Sequence, residues 1–205
     1  KRIILTLTIM KDDLNPAVIQ NLCNAMTALM GDYIHSDGAN RTDRVLVAIQ
    51  TAAFQKDGAT LYRAQQSILG DLCYVDEGTD AYDPGNGHYT DGSFLYHNGV
   101  AFNANYGKET LSSLSGILKL TRGTVFQVDN SYLEILTEWA VNAYDPLAYY
   151  GIENLAVMGR GIYDGVGRAN QIGGILHNIA DCVSGADEAL IDSLAMKMKR
   201  EKSTE

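Results

Sequence analysis

Apolar residues recur at helical spacing along most of the chain, broken by connections rich in Gly, Asn and Asp. Val18, Ile19, Leu22, Cys23, Met26, Leu29 and Met30 share one face of a helix that Asn15 caps, Pro16 opens and Gly31 ends. After a loop from Asp32 to Asn40, Val45, Leu46, Ala48, Ile49, Ala52 and Phe54 predict a second helix ending near Gly58. Leu61, Tyr62, Ala64, Ile68, Leu69 and Leu72 predict a third, bounded near Tyr74. Leu111, Leu114, Ile117, Leu118 and Leu120 mark a fourth, broken by Gly123. Asp129-Asn130-Ser131 can cap a fifth, whose Leu133, Ile135, Leu136, Trp139, Ala140 and Val141 face inward before Pro146 stops it, so Trp139 reads as core. Ile172, Ile175, Leu176, Ile179 and Val183 mark the next, with His177 on or beside the apolar face as a satisfied structural histidine. Ser184 caps the last, which turns Leu190, Ile191, Leu194 and Met198 inward and ends in a solvated charged run.

Residues 1–10 carry the same spacing without a cap, and read as the middle of a helix whose beginning is missing. The total is about seven helices of about 12 to 18 residues, with no alternating strand pattern of convincing length. Short connections between successive helices imply antiparallel hairpins, so the predicted class is all-α.

The 205 residues suit a single domain spanning 1–205, and the apolar share of 46% with 20% charged residues is that of a soluble globular protein. No run long enough to span a membrane and no signal peptide is visible. Sixteen basic against 25 acidic residues give a net charge of −9, which argues against a nucleic-acid partner. Cys23, Cys73 and Cys182 are far apart, lack metal-ligand spacing and read as buried thiols. Residues 76–92 form an acidic connection. Asp76, Asp80, Asp83 and Asn86 could in principle hold calcium, but the Asp-x-Asp-x-Asp-Gly pattern is absent and a solvated loop is the expectation.

Candidate chemistry concentrates in Asp91-Gly92-Ser93-Phe94-Leu95-Tyr96-His97-Asn98-Gly99-Val100-Ala101-Phe102-Asn103-Ala104-Asn105-Tyr106-Gly107. One His, two Tyr and three Asn between helical segments form the composition of a site on an ordered loop. A phenol, with a pKa of about 10, serves as a base near neutrality only beside a positive charge. Arg160, between Gly159 and Gly161, could supply one, because glycines let the backbone approach a neighbour closely.

This run resembles the DGS-x-x-x-H element followed by Tyr-Gly of polysaccharide lyase family 8, which includes hyaluronate, chondroitin AC and xanthan lyases. Asp37-Gly38-Ala39-Asn40-Arg41-Thr42-Asp43 is similar to that family's T-G-A-N-x-T-D element, and Gly159-Arg160-Gly161-Ile162 to its G-R-G-[IV]-S-R element. The resemblance implies an incomplete α/α toroid of antiparallel helical hairpins, part of an N-terminal catalytic domain whose β domains would follow. It further implies a secreted or periplasmic enzyme that needs no cofactor and no metal. Its partner would be an anionic polysaccharide of the hyaluronan, chondroitin or xanthan type.

By resemblance, Asn40 binds the uronate carboxyl, His97 assists or takes part in proton transfer, Tyr106 removes the C5 proton and protonates the leaving oxygen, and Arg160 orients Tyr106. Each residue type suits its role: an Asn amide donates hydrogen bonds without a charge, and a guanidinium favours phenolate. Asn40 could instead cap the helix after it, and Tyr106 could pack the helix start at Gly107-Lys108-Glu109. The chain departs from the family pattern at Tyr163-Asp164, where a second Arg is expected. Its next Arg is Arg168. The upstream Asn-Trp-Trp element is absent too. Two alternatives stay open, a non-catalytic helical carbohydrate-binding module and a toroid glycoside hydrolase, for which Asp91 is the nearest carboxylate.

Overall fold

A computed structural model describes residues 2–31, 36, 38–69, 72–75, 85–149, 152–159, 161 and 168–199. The chain divides into two compact units, Lys1–Asp71 and Leu72–Glu205.

The first unit holds four helices: α1 (Arg2–Met10), α2 (Pro16–Met30), α3 (Gly38–Gln55) and α4 (Gly58–Leu69). Asn15 has extended backbone and its Oδ1 accepts from Ala17 N at 2.9 Å, while Pro16 needs no partner for a missing N–H. Ile4 and Leu7 of α1 pack on Cys23 and Met26 of α2, each buried aliphatic side chain contributing about 1.5–3 kcal/mol. α3 and α4 form a hairpin across Lys56 and Asp57. Asp57 caps α4 by accepting from Thr60 N and Thr60 Oγ1, and the Thr60 hydrogen bonds hold its carboxyl below the usual carboxylate range.

In the second unit, β1 (Gly87–His88), β2 (Phe94–Tyr96) and β3 (Val100–Ala101) form a small antiparallel sheet. A π-helical turn, Asn103–Gly107, follows and runs straight into α5 (Lys108–Thr121). Then come α6 (Asn130–Tyr144), the hairpin of β4 (Ala148–Tyr149) and β5 (Ile152–Glu153), and the hairpin of α7 (Arg168–Ala180) and α8 (Ala186–Lys199). Leu111, Leu114 and Ile117 of α5, Leu136 and Ala140 of α6, Ile172 and Leu176 of α7, and Ile191 and Leu194 of α8 are buried, as their spacing predicts, whereas Leu120 of α5 and Leu190 of α8 are exposed against that expectation. Lys197 clamps the end of α8 to the end of α6 through Asp145 Oδ1 at 2.6 Å.

Several expectations are corrected. α3 begins at Gly38, so Asn40 lies inside its first turn and neither in a loop nor at the cap. Phe94–Tyr96 alternates buried, half-buried, buried in a strand too short for a periodicity test. Ser184 precedes the cap position of α8, which starts at Ala186. Asp129 occupies the cap position of α6 without a side-chain hydrogen bond. His177 is exposed and bonds Asp192 at 2.8 Å, a surface pair between α7 and α8. Of the cysteines only Cys23 is buried; Cys73 is exposed, because it lies in the connection after α4 rather than on a helix face. Asp76, Asp80 and Asp83 lie outside the described residues. Among the described residues no His, Cys, Asp and Glu cluster could hold a metal, and no helix is long and apolar enough to cross a membrane.

Candidate active site

The Asp91–Gly107 run folds into the sheet and the π-turn. Asp91 Oδ1 accepts from Ser93 N at 2.8 Å, and the Ser93 hydroxyl and N–H together hold the Asp91 carboxyl below its ordinary range. Asp91 therefore stays ionised and is engaged in the turn. Gly92 stands at φ +85, and a Cβ there would lie 2.3 Å from Asn142 O of α6, so glycine is required.

β2 and β3 are joined by His97, Asn98 and Gly99, with Tyr96 paired to Val100. All three linking residues are left-handed, at φ 50, 62 and 88. Gly99 accepts this without cost, but His97 and Asn98 do so against their Cβ atoms, at roughly 1–2 kcal/mol each, less for Asn. The strained turn lifts the exposed imidazole over the ring of Tyr106. His97 Nε2 and Tyr106 Oη are 3.1 Å apart. The imidazole can accept from the phenol or donate to the phenolate, according to its tautomer.

The ring of Tyr106 is held on several sides. Tyr96 stacks on it at 4.3 Å and 22°, and Phe102 meets it edge-on at 5.1 Å. His97 also touches Tyr96 and Phe102 edge-on. Phe94, Tyr96 and Phe102 form a buried cluster with Tyr106 half-buried upon it, and each such aromatic pair adds about 0.5–1.5 kcal/mol beyond burial. The cage leaves the phenol one plane in which to present its oxygen.

The π-turn sets that plane. Gly107 N bonds Phe102 O at 3.1 Å and Lys108 N bonds Asn103 O, both wider closures than an α-helix makes. Asn103, one of the loop asparagines, points inward: its Oδ1 accepts from Phe94 N at 3.0 Å and its Nδ2 donates to Gly92 O at 2.8 Å. Lys108 is buried, with Nζ bonded to Gln171 Oε1 of α7 and to Glu109, each at 2.9 Å.

Of the four predicted residues, the structure brings together His97 and Tyr106. Asn40 is exposed in the first turn of α3, in the first unit. Arg160 lies outside the described residues, but Gly159 before it presses on Phe102, where a Cβ would stand 2.0 Å from Cε1. This is the close approach that the flanking glycines predict. The residues that sequence reasoning missed are Tyr96 and Phe102. Their signal was the inward alternation of Phe94 and Tyr96, which three residues are too few to establish.

The described helices and their hairpins have the fold of the α/α toroid lyases. The chain belongs to polysaccharide lyase family 8, with residues 1–194 matching that family's N terminal alpha-helical domain. It is 32% identical over 135 residues to the hyaluronate lyase HylB of Enterococcus faecalis (strain ATCC 700802 / V583), a match covering 66% of this chain and 13% of that protein. It is 30% identical over 144 residues to a xanthan lyase of Bacillus sp. (strain GL1), covering 69% and 15%. Among solved structures, a Paenibacillus xanthan lyase superposes with a TM-score of 0.78 at 24% identity, over 94% of this chain and 19% of that one. A Streptomyces coelicolor A3 chondroitin AC lyase, solved with chondroitin sulphate, superposes at 0.76 and 19% identity, over 98% and 32%. The chain thus spans only about one-seventh of the curated relatives' length.

Proposed function

We propose that this chain carries part of the catalytic centre of a polysaccharide lyase that cleaves a uronate-containing anionic polymer by β-elimination. The observation that carries the reading is the His97–Tyr106 contact at 3.1 Å, caged by aromatic rings at the position of the family motif. Removal of the C5 proton needs a base at the proton and neutralisation of the adjacent carboxylate. Tyr106 is the base in this reading: it takes the C5 proton, the C4–O bond breaks as the C4–C5 double bond forms, and the phenol returns the proton to the leaving oxygen. His97 governs that proton by holding Tyr106 Oη. Asn40 binds the carboxylate through its side-chain amide, which donates hydrogen bonds without a charge; it is exposed in the first turn of α3. Arg160 orients Tyr106, supported by the approach of Gly159 to the Phe102 ring. Hyaluronan, chondroitin and xanthan are the candidate substrates, after the relatives' names, and a secreted or periplasmic location would suit such polymers.

The test is the ultraviolet absorbance of the new C4–C5 double bond, followed on a panel of these polymers. Tyr106→Phe keeps the ring and its cage, so kcat should collapse with KM little changed. Asn40→Ala should lower kcat by roughly 10² to 10³, the loss typical of one donor to a developing charge. Near-normal turnover of Tyr106→Phe would exclude Tyr106 as the base, and no double bond formed on any of these polymers would leave the binding module, the reading that the net charge of −9 favours.

A further inference from the structure

The hydroxyl of Tyr144, at the end of α6, donates to Asn103 O at 2.9 Å. That same oxygen accepts Lys108 N, one of the two wide bonds of the π-turn, with Lys108 N also reaching Asn105 O. Both acceptor positions of the carbonyl are therefore engaged, one by the turn and one by a side chain 41 residues away. Tyr144 is 2% exposed and Asn103 is 1% exposed, so neither bond has water as a substitute. The Tyr144 hydroxyl also lies 3.3 Å from where a Cβ of Gly107 would be, beneath the turn's last residue.

A π-turn inserts one residue into a helix, and each residue advances a helix by about 100°, so relaxation to α-helical closure would swing Tyr106 around the axis. The Asn103 carbonyl accepts one of the two wide bonds of the π closure, the other being Gly107 N to Phe102 O. We infer that Tyr144 is a positioning residue: its hydroxyl, through the Asn103 carbonyl, holds the π-register that places Tyr106 Oη on His97 Nε2. This rests on the proposed role of Tyr106.

The intact enzyme provides the test. Tyr144→Phe removes only the hydroxyl and keeps the buried ring. Thr137→Val, which removes a buried hydroxyl bonded to Leu133 O in the same helix, is the matched control. Tyr144→Phe should lower kcat at least tenfold with KM within twofold, while Thr137→Val changes neither by more than twofold. The second readout needs no activity. With tyrosines labelled at Cζ and Tyr106 assigned by its loss in Tyr106→Phe, the Tyr106 resonance should move in Tyr144→Phe and stay in Thr137→Val. An unmoved resonance, kcat within twofold of wild type, or an equal loss in Thr137→Val would overturn the inference. If Tyr106→Phe itself turns over normally, the reading of Tyr106 as the base fails, and the resonance alone still decides whether Tyr144 sets the register.

Discussion

Gly159 lies against the ring of Phe102 so closely that a Cβ on it would stand 2.0 Å from Cε1 and 2.5 Å from Cδ1 and Cζ. Its φ of 53 adds a left-handed penalty for any other residue. Phe102 also braces Tyr106 and His97, so it cannot retreat without disturbing both. Gly159→Ala should destabilise the protein by roughly 2–5 kcal/mol, overpacking and backbone strain together. Denaturant unfolding measures this, and a loss under about 1 kcal/mol would mean that the contact is loose.

The left-handed turn at His97 separates strain from chemistry. His97→Gly and His97→Ala remove the same imidazole, but only alanine keeps a Cβ at φ 50. His97→Gly should therefore be more stable than His97→Ala by about 1 kcal/mol, with turnover lost in both. Equal thermal midpoints would show that the turn relaxes when the ring is gone.

Asp91 offers a test against hydrolysis. A general acid needs a raised pKa, whereas the Ser93 hydrogen bonds pull this carboxyl down. Asp91→Asn preserves an oxygen acceptor for Ser93 N, so lyase turnover should stay within about tenfold of wild type, well short of the 10²–10⁴ that acid–base catalysis contributes. Hydrolytic product lacking the double bond, abolished by Asp91→Asn, would reverse the assignment.

His88 makes stability depend on pH. Its ring is stacked on Trp139 at 4.2 Å and edge-on to Phe94, with both ring nitrogens unpartnered, and burial pushes its pKa down from 6.5 to about 3. Between those values the unfolded chain binds a proton that the native protein refuses. Stability is therefore complete above about pH 6.5 and falls as pH drops toward 3, by up to about 1.4 kcal/mol per unit. His88→Phe should keep the ring contacts, leave stability at pH 7 little changed, and flatten the acid side of the curve by one proton. Parallel pH curves for the two proteins would place the acid sensitivity elsewhere.

Helix faces were determined by the sequence itself, because burial of one side of a helix writes a period into consecutive residues. The buried positions of α6 and the Asn15-Pro16 start of α2 could be read directly, whereas Val18 and Leu29 of α2 and Leu120 of α5 share the apolar spacing and are exposed. So could the run that holds His97 and Tyr106, since its residue types and spacing are local properties. Tertiary structure alone decided that the two meet at 3.1 Å, because the meeting depends on a left-handed turn and a π-turn whose closure is set by Tyr144 from a different helix. It also decided that Asn103 turns inward while His97 faces out, although both are polar residues of one segment. Nothing local marks His88 as core; only the Trp139 and Phe94 rings packed around it make it a neutral part of the interior. Local pattern records which side of an element is buried; what a buried polar group bonds to is recorded only by the partner, which lies elsewhere in the chain.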